Sequence, residues 1–196
     1  MKKCLIVTFL MLLSTLVFGQ DILDFRMCDV FNGKVKSISV TSPEQMQSEI
    51  EFTVDGKIKH MKNPMFNVDY DWIGDDELKI IMSNGQESES FYIYINEYRE
   101  DYYEYEMGES TMRIWFRHNG SINKKELTQN GNVMEMNYDY HSDSDLYPYK
   151  TETRMGAQSQ TIYMKVDKYD SRGNAIVCSQ SSNGITIQLE RTIKYY

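Results

Sequence analysis

Alternation with a period of two constrains this chain more than any other feature. In "ITIQLERTIKYY" Ile185, Ile187, Leu189, Ile193 and Tyr195 are apolar, while Thr186, Gln188, Glu190, Thr192 and Lys194 between them are polar. Successive side chains of a strand point to opposite faces, so the pattern is that of a strand with one buried and one wet face. The same reading picks out Ile50, Phe52 and Val54; Leu78, Ile80 and Met82; Phe91, Ile93 and Ile95; Met112, Ile114 and Phe116; Met134, Met136 and Tyr138; and Ile162, Met164 and Val166. Strands of this kind cover most of the chain.

Between them stand Asn32-Gly33, Asp55-Gly56, Asn84-Gly85, Asn119-Gly120, Asn130-Gly131 and Asn183-Gly184. Such dipeptides adopt the positive φ angles of tight turns whose twist matches two antiparallel strands, and each is a hairpin signal. With only 3 prolines to interrupt pairing, the expectation is a single all-β domain. It is an antiparallel meander of about ten to twelve strands that curls to cover its core, as a curled sheet, an open barrel or a sandwich. Helix-start signals are confined to "TSPEQMQSEI", with Ser42 before Pro43 and Glu44, which reads equally well as a loop between strands. Residues 141–160 have the weakest periodicity and are the expected long polar excursion from the sheet.

The first residues point to export. "MKKCLIVTFLMLLSTLVFGQ" has basic Lys2 and Lys3, an apolar run from Cys4 to Val17, and Val17 and Gly19 at the positions that a signal peptidase reads. This is the pattern of a secretory leader over residues 1–19, with a mature domain over 20–196. No later segment approaches the run of about 18 to 20 apolar residues that a membrane-spanning helix needs. Removing the leader takes two lysines and no acid, leaving 19 basic against 29 acidic residues and a formal charge of −10. Such a surface repels phosphate backbones and anionic lipid, which argues against nucleic acid as a partner. Cys28 and Cys178 remain after processing, in a compartment where they can form a disulfide or stay as two separate buried thiols.

One turn carries a further signal. "KYDSRGNAIV", preceded by "TIYMKVDK" and followed by the terminal alternating run, resembles the Tyr-Asp repeat of RHS-type secreted proteins. The likeness is strongest to the last hairpin of small secreted proteins of unknown function built from similar units. It covers about 30 residues at the C-terminus, with weaker echoes in "FTVDGKIKHM" and "WFRHNGSINKKEL" that lack the Tyr-Asp pair. The resemblance implies structural roles: Tyr169 packs on the sheet, and Asp170, Gly173 and Asn174 shape the turn.

Patterns that would carry catalysis are weak. There is no Gly-x-Ser-x-Gly, and His60, His118 and His141 have no motif around them. Carboxylates recur in Asp75-Asp76, Glu100-Asp101 and Asp143-x-Asp145, so no pair stands out for glycoside hydrolysis, and a solvated acidic surface explains them. Asp139, Asp143 and Asp145 suggest at most a loose calcium site, because the glycine and final glutamate of an EF-hand loop are missing. Met134-x-Met136 near His141 has the look of soft copper ligands, but a period-two strand places both methionines on one apolar face with Tyr138, as core. The expectation is a protein without catalytic residues, metal or cofactor.

The most unusual stretch is "FYIYINEYREDYYEYEMGE". If Phe91, Ile93 and Ile95 point inward, Tyr92 and Tyr94 stand on the other face, and Tyr102, Tyr103 and Tyr105 extend that layer. Tyrosine offers a large contact area with a polar tip, which suits protein contact, and flanking carboxylates also suit sugar hydroxyls. The competing reading makes these tyrosines a second core layer. The function expected is therefore a non-enzymatic exported module, periplasmic, surface-associated or secreted, that binds an envelope or surface protein through this face. The alternatives are a polysaccharide on the same face and, behind it, a secreted carboxylate-dependent glycoside hydrolase.

Overall fold

Strand pairing settles what alternation leaves open, because the first strand hydrogen-bonds to the last. The computed structural model of the chain describes residues 31–42, 47–62, 64–74, 77–99 and 102–196, with the side chains of 95–99 and 107 left aside. The leader, Cys28, Pro43, Glu44, Asp75-Asp76 and Glu100-Asp101 lie outside the described residues. Fourteen strands follow one another: β1 (Val35–Thr41), β2 (Gln47–Phe52), β3 (Ile58–Lys62), β4 (Asn67–Trp72), β5 (Glu77–Ser83), β6 (Ser88–Arg99) and β7 (Tyr102–Met107). They continue as β8 (Ser110–Phe116), β9 (Ile122–Gln129), β10 (Asn132–Asp139), β11 (Lys150–Met155), β12 (Gln158–Tyr169), β13 (Ala175–Ser182) and β14 (Ile185–Tyr195). Each pairs antiparallel with its sequence neighbours, and β14 pairs with β1 from Val35↔Tyr195 to Thr41↔Glu190, so the meander closes into a barrel.

The barrel has 14 strands, not ten to twelve. Part of the difference is β11, inside the stretch expected to leave the sheet: only 140–149 departs from it, and from Lys150 onward the ladder resumes against β10 and β12. Val54, assigned by alternation to a strand, sits instead in the β2–β3 turn and is 59% exposed. The Asn-Gly turns at Asn130-Gly131 and Asn183-Gly184 have positive φ at both central residues, the conformation that joins twisted antiparallel strands without splaying them.

The two faces of the wall are chemically distinct. Inward-facing Val68, Leu78, Ile93, Ile114 and Leu189 are wholly buried, which leaves no water beside them. The principal core joins these to side chains from β1 through β10 and β14, including Met134, Met136 and Tyr138. A smaller cluster of Tyr147, Met164, Ala175 and Cys178 lies under the 140–149 segment. The outer face carries most of the charges, while Lys125 and Arg191 are buried on the inner face, opposite Met136 and Val40. One row crosses five strands, pairing Glu104 with Arg113, Arg113 with Glu126, Glu126 with Glu135 and Glu135 with Arg154. Lys124 offsets the like-charge pair, donating to Glu135 at 2.7 Å and Glu126 at 3.3 Å. These hydrogen bonds, the one to Glu135 first, hold the Lys124 ammonium above its usual pKa, and Lys124 in turn holds Glu135 below the usual carboxylate range.

Connections in a meander alternate between two ends. One end holds Asn130-Gly131 and Asn183-Gly184. There the β13–β14 hairpin runs past β1, whose pairing stops at Glu190, so Ile185 and Ile187 stay 67% and 45% exposed although they share the face of buried Leu189. The opposite end holds the start of β1, the end of β14, the β8–β9 turn, residues 140–149 and the Asp170–Asn174 turn.

Candidate binding sites

The Tyr-Asp turn is a latch on the barrel seam. The Asp170 carboxylate accepts the backbone N–H groups of Arg172 and Asn174 at 2.8 and 2.9 Å, and Gly173 sits at φ +83. Asn174, wholly buried, accepts the Asn32 N–H on Oδ1 at 2.8 Å and donates from Nδ2 to the Asn32 carbonyl at 2.9 Å, across 142 positions. The same Nδ2 donates to Tyr195 Oη at 2.7 Å, and the Tyr195 hydroxyl donates to the Asp170 carboxylate. Burial works to raise the Asp170 pKa, but the hydrogen bonds from Tyr195, Asn174 and Arg172 outweigh it and hold the carboxyl below its usual range. Asp170, Gly173 and Asn174 thus shape the turn and bind the entry of β1 to the exit of β14. Tyr169 is 53% exposed, its ring 6.5 Å from that of Tyr147.

The tyrosines of the central stretch fall on both faces. Phe91 and Ile93 pair with Ile80 and Leu78 on the inner face, so Tyr92 and Tyr94 stand outside, 41% and 46% exposed. Their rings stack 6.4 Å apart at 16°. Tyr92 lies opposite Lys79, whose ammonium is 6.0 Å from its ring, and Tyr94 lies between Glu77 and Glu106. Tyr102 is also outside, its ring 5.1 Å from Trp115 and 5.6 Å from the Arg113 guanidinium. Tyr103 and Tyr105 do not extend this layer. Tyr105 is 1% exposed in the core, and Tyr103 packs against that core edge-on to Phe116. In β7 adjacent residues point to opposite faces, so Tyr102 and Tyr103 cannot share one.

A cleft of about 780 Å³ opens at the barrel end that carries the latch. Its walls come from residues 141–149, from Tyr163 to Tyr169 at the end of β12, and from Asn32 and Gly173. The 141–149 wall is held in place. Arg117 donates to the carbonyls of Ser142 and Asp145 at 2.9 and 3.0 Å, and its guanidinium lies 4.0 Å over the Tyr140 ring. Asn119 Nδ2 donates to the carbonyls of Asp143 and Asp145 at 3.0 and 3.1 Å. Asp145 accepts both the N–H and the Oγ–H of Ser142. At the far end of the segment His141 stacks on Tyr149 at 4.1 Å, and Tyr147 turns inward, where its hydroxyl accepts the Ala175 N–H. The aromatic run "LYPY" lies in the least periodic part of the chain, and aromatics clustered in a loop were the one signal for this cleft.

No protein-family model matches the chain, and no curated protein matches it. Among solved structures the chain is similar to a porin-like protein from Bacteroides vulgatus ATCC 8482. The TM-score is 0.44 at 12% identity, over 81% of this chain and 97% of that one. A porin-like protein from Bacteroides uniformis ATCC 8492 gives a TM-score of 0.32 at 8% identity, over 83% of this chain and 99% of that one.

The remaining candidates do not converge on one point. Asp139 pairs with Lys150 and Asp143 with Arg117, while Asp145 caps Ser142, so the three carboxylates are turned to different partners. Among the described residues no three His, Cys, Asp or Glu side chains stand close enough to hold a metal. His60 shares a 2.6 Å hydrogen bond with Asp69 on the outer wall, and His118 is exposed at the β8–β9 turn. Cys178 is a free, buried thiol whose pKa is raised by burial.

Proposed function

We propose that the chain is a non-enzymatic exported module of the cell envelope or cell surface, which stays out of the bilayer and binds another protein through the tyrosine-bearing part of its outer wall. The stacked, exposed Tyr92–Tyr94 pair carries this reading. Two large rings held against each other have little rotamer freedom to lose on docking, and their hydroxyls keep polar tips at the rim. Lys79, Glu77 and Glu106 around them supply charges that set partner and register more than raw affinity. The leader pattern of residues 1–19 supports export. The charged outer row supports a place outside lipid, since a barrel that spans a bilayer presents an apolar band there.

The test places a photo-crosslinking residue at position 94, with position 159 on the outer face of β12 as control, in cells that make the protein. A discrete adduct from 94 alone identifies the partner. With that partner purified, the Tyr92→Ala/Tyr94→Ala double variant is expected to bind about tenfold more weakly or worse with an unchanged circular dichroism spectrum. Equal binding by the folded double variant would remove the outer-wall site.

A further inference from the structure

We infer that the cleft beside the latch is a second binding site, separate from the outer wall, and that it takes a short neutral oligosaccharide. Its size, about 780 Å³, falls in the range of preformed small-ligand pockets. Two of its tyrosines, Tyr163 and Tyr169, are 54% and 53% exposed, so their rings are free to be covered by a ligand. A third ring, Tyr149, already carries His141 stacked on it. The flat C–H face of a pyranose covers a tyrosine ring, and the hydroxyls at its rim need partners that both donate and accept. Hydroxyl side chains do both, and Tyr149, Tyr163 and Tyr169 supply them along the cleft, whereas the Ser142 hydroxyl is committed to Asp145 and that of Tyr147 to the Ala175 N–H.

Charge decides for a neutral ligand. Among the described residues the formally charged side chains that line the cleft are Asp145 and Lys165. Asp145 is taken up by the N–H and Oγ–H of Ser142, and Lys165 by Asp167 at 2.7 Å. Asp145 is thus held away from a cationic ligand, Lys165 is exposed but already shares its charge with Asp167, and the acidic chain as a whole repels polyanions. Preorganisation supports a site over a mere gap, because Arg117 and Asn119 tie down the carbonyls of residues 142, 143 and 145, and ordering that wall costs a ligand little.

Calorimetric titration of the purified protein with maltohexaose, cellohexaose and α-1,6-mannohexaose, with hexagalacturonate as the anionic comparator, tests the inference. At least one neutral hexasaccharide is expected to bind, about tenfold or more tighter than the uronate. Tyr163→Ala and Tyr169→Ala are each expected to weaken that binding about tenfold, while Tyr92→Ala leaves it unchanged. Both cleft tyrosines are more than half exposed, so the variants keep the fold, which circular dichroism checks. The inference fails if no neutral hexasaccharide binds at millimolar concentration, if the uronate binds as tightly, or if the Tyr163 and Tyr169 variants bind like the parent. None of these outcomes bears on the protein-binding reading of Tyr92 and Tyr94, which the crosslinking experiment decides separately.

Discussion

Asn174 shows how much a single side chain can be asked to do. It is wholly buried, and its amide satisfies both backbone groups of Asn32 and the Tyr195 hydroxyl. Asn174→Ala removes the partners of the two Asn32 backbone groups, while the Tyr195 hydroxyl keeps Asp170, and each buried polar group left unsatisfied costs about 1–3 kcal/mol. The variant is therefore expected to lose about 2–4 kcal/mol, read as a lower urea midpoint. Asp170 makes the same latch sensitive to acid. Its folded pKa is depressed below the unfolded value of about 3.9, so its contribution is complete above that value and is lost as pH falls through the folded pKa. Between pH 5 and pH 2 the parent is expected to lose stability more steeply than Asp170→Asn, a comparison made by urea denaturation at each pH. Coincident slopes would mean that ionisation of Asp170 adds nothing to the stability of the latch.

At the scale of the strand, residue type and facing are separate facts. Tyr105 and Tyr94 belong to neighbouring strands and to the same tyrosine-rich stretch, yet one is core and the other surface. Tyr105→Ala is expected to cost about 3–5 kcal/mol as a buried aromatic truncation, and Tyr94→Ala under about 1 kcal/mol, both measurable by chemical denaturation. Alternation in the sequence places most strands because Ile, Leu, Val and Met declare their face. It failed for β7, where tyrosine, at home on either face, leaves "YYEYEM" without a declared interior. It failed for β11 for the opposite reason: inward Thr151 and Thr153 are polar, so "KTETRM" has no apolar row to betray it. The Asp-Gly and Asn-Gly turns were readable because positive φ has a residue signature. The cleft was not, since its walls meet only after closure brings Asn32 beside Gly173.

For the molecule as a whole, the charged row on the outer wall bears on the proposed place of the barrel outside the bilayer. A Lys or Arg on the lipid face costs about 2–4 kcal/mol at the bilayer midplane, and Arg113, Lys124 and Arg154 share one sector of this wall with Glu104, Glu126 and Glu135. On that proposal the protein is expected in the aqueous phase of a detergent phase separation, and recovery in the detergent phase would overturn it. The seam carries another consequence, one of timing. Because β14 supplies the partner for β1, residues 35 to 41 must wait for 190 to 195, about 150 positions later in synthesis, before the seam can close. Until then both margins of the sheet are open to strands of other molecules. Folding of this barrel therefore includes an interval in which a nearly finished wall is at its most vulnerable to aggregation, and a chain truncated before Ile185 would never leave it.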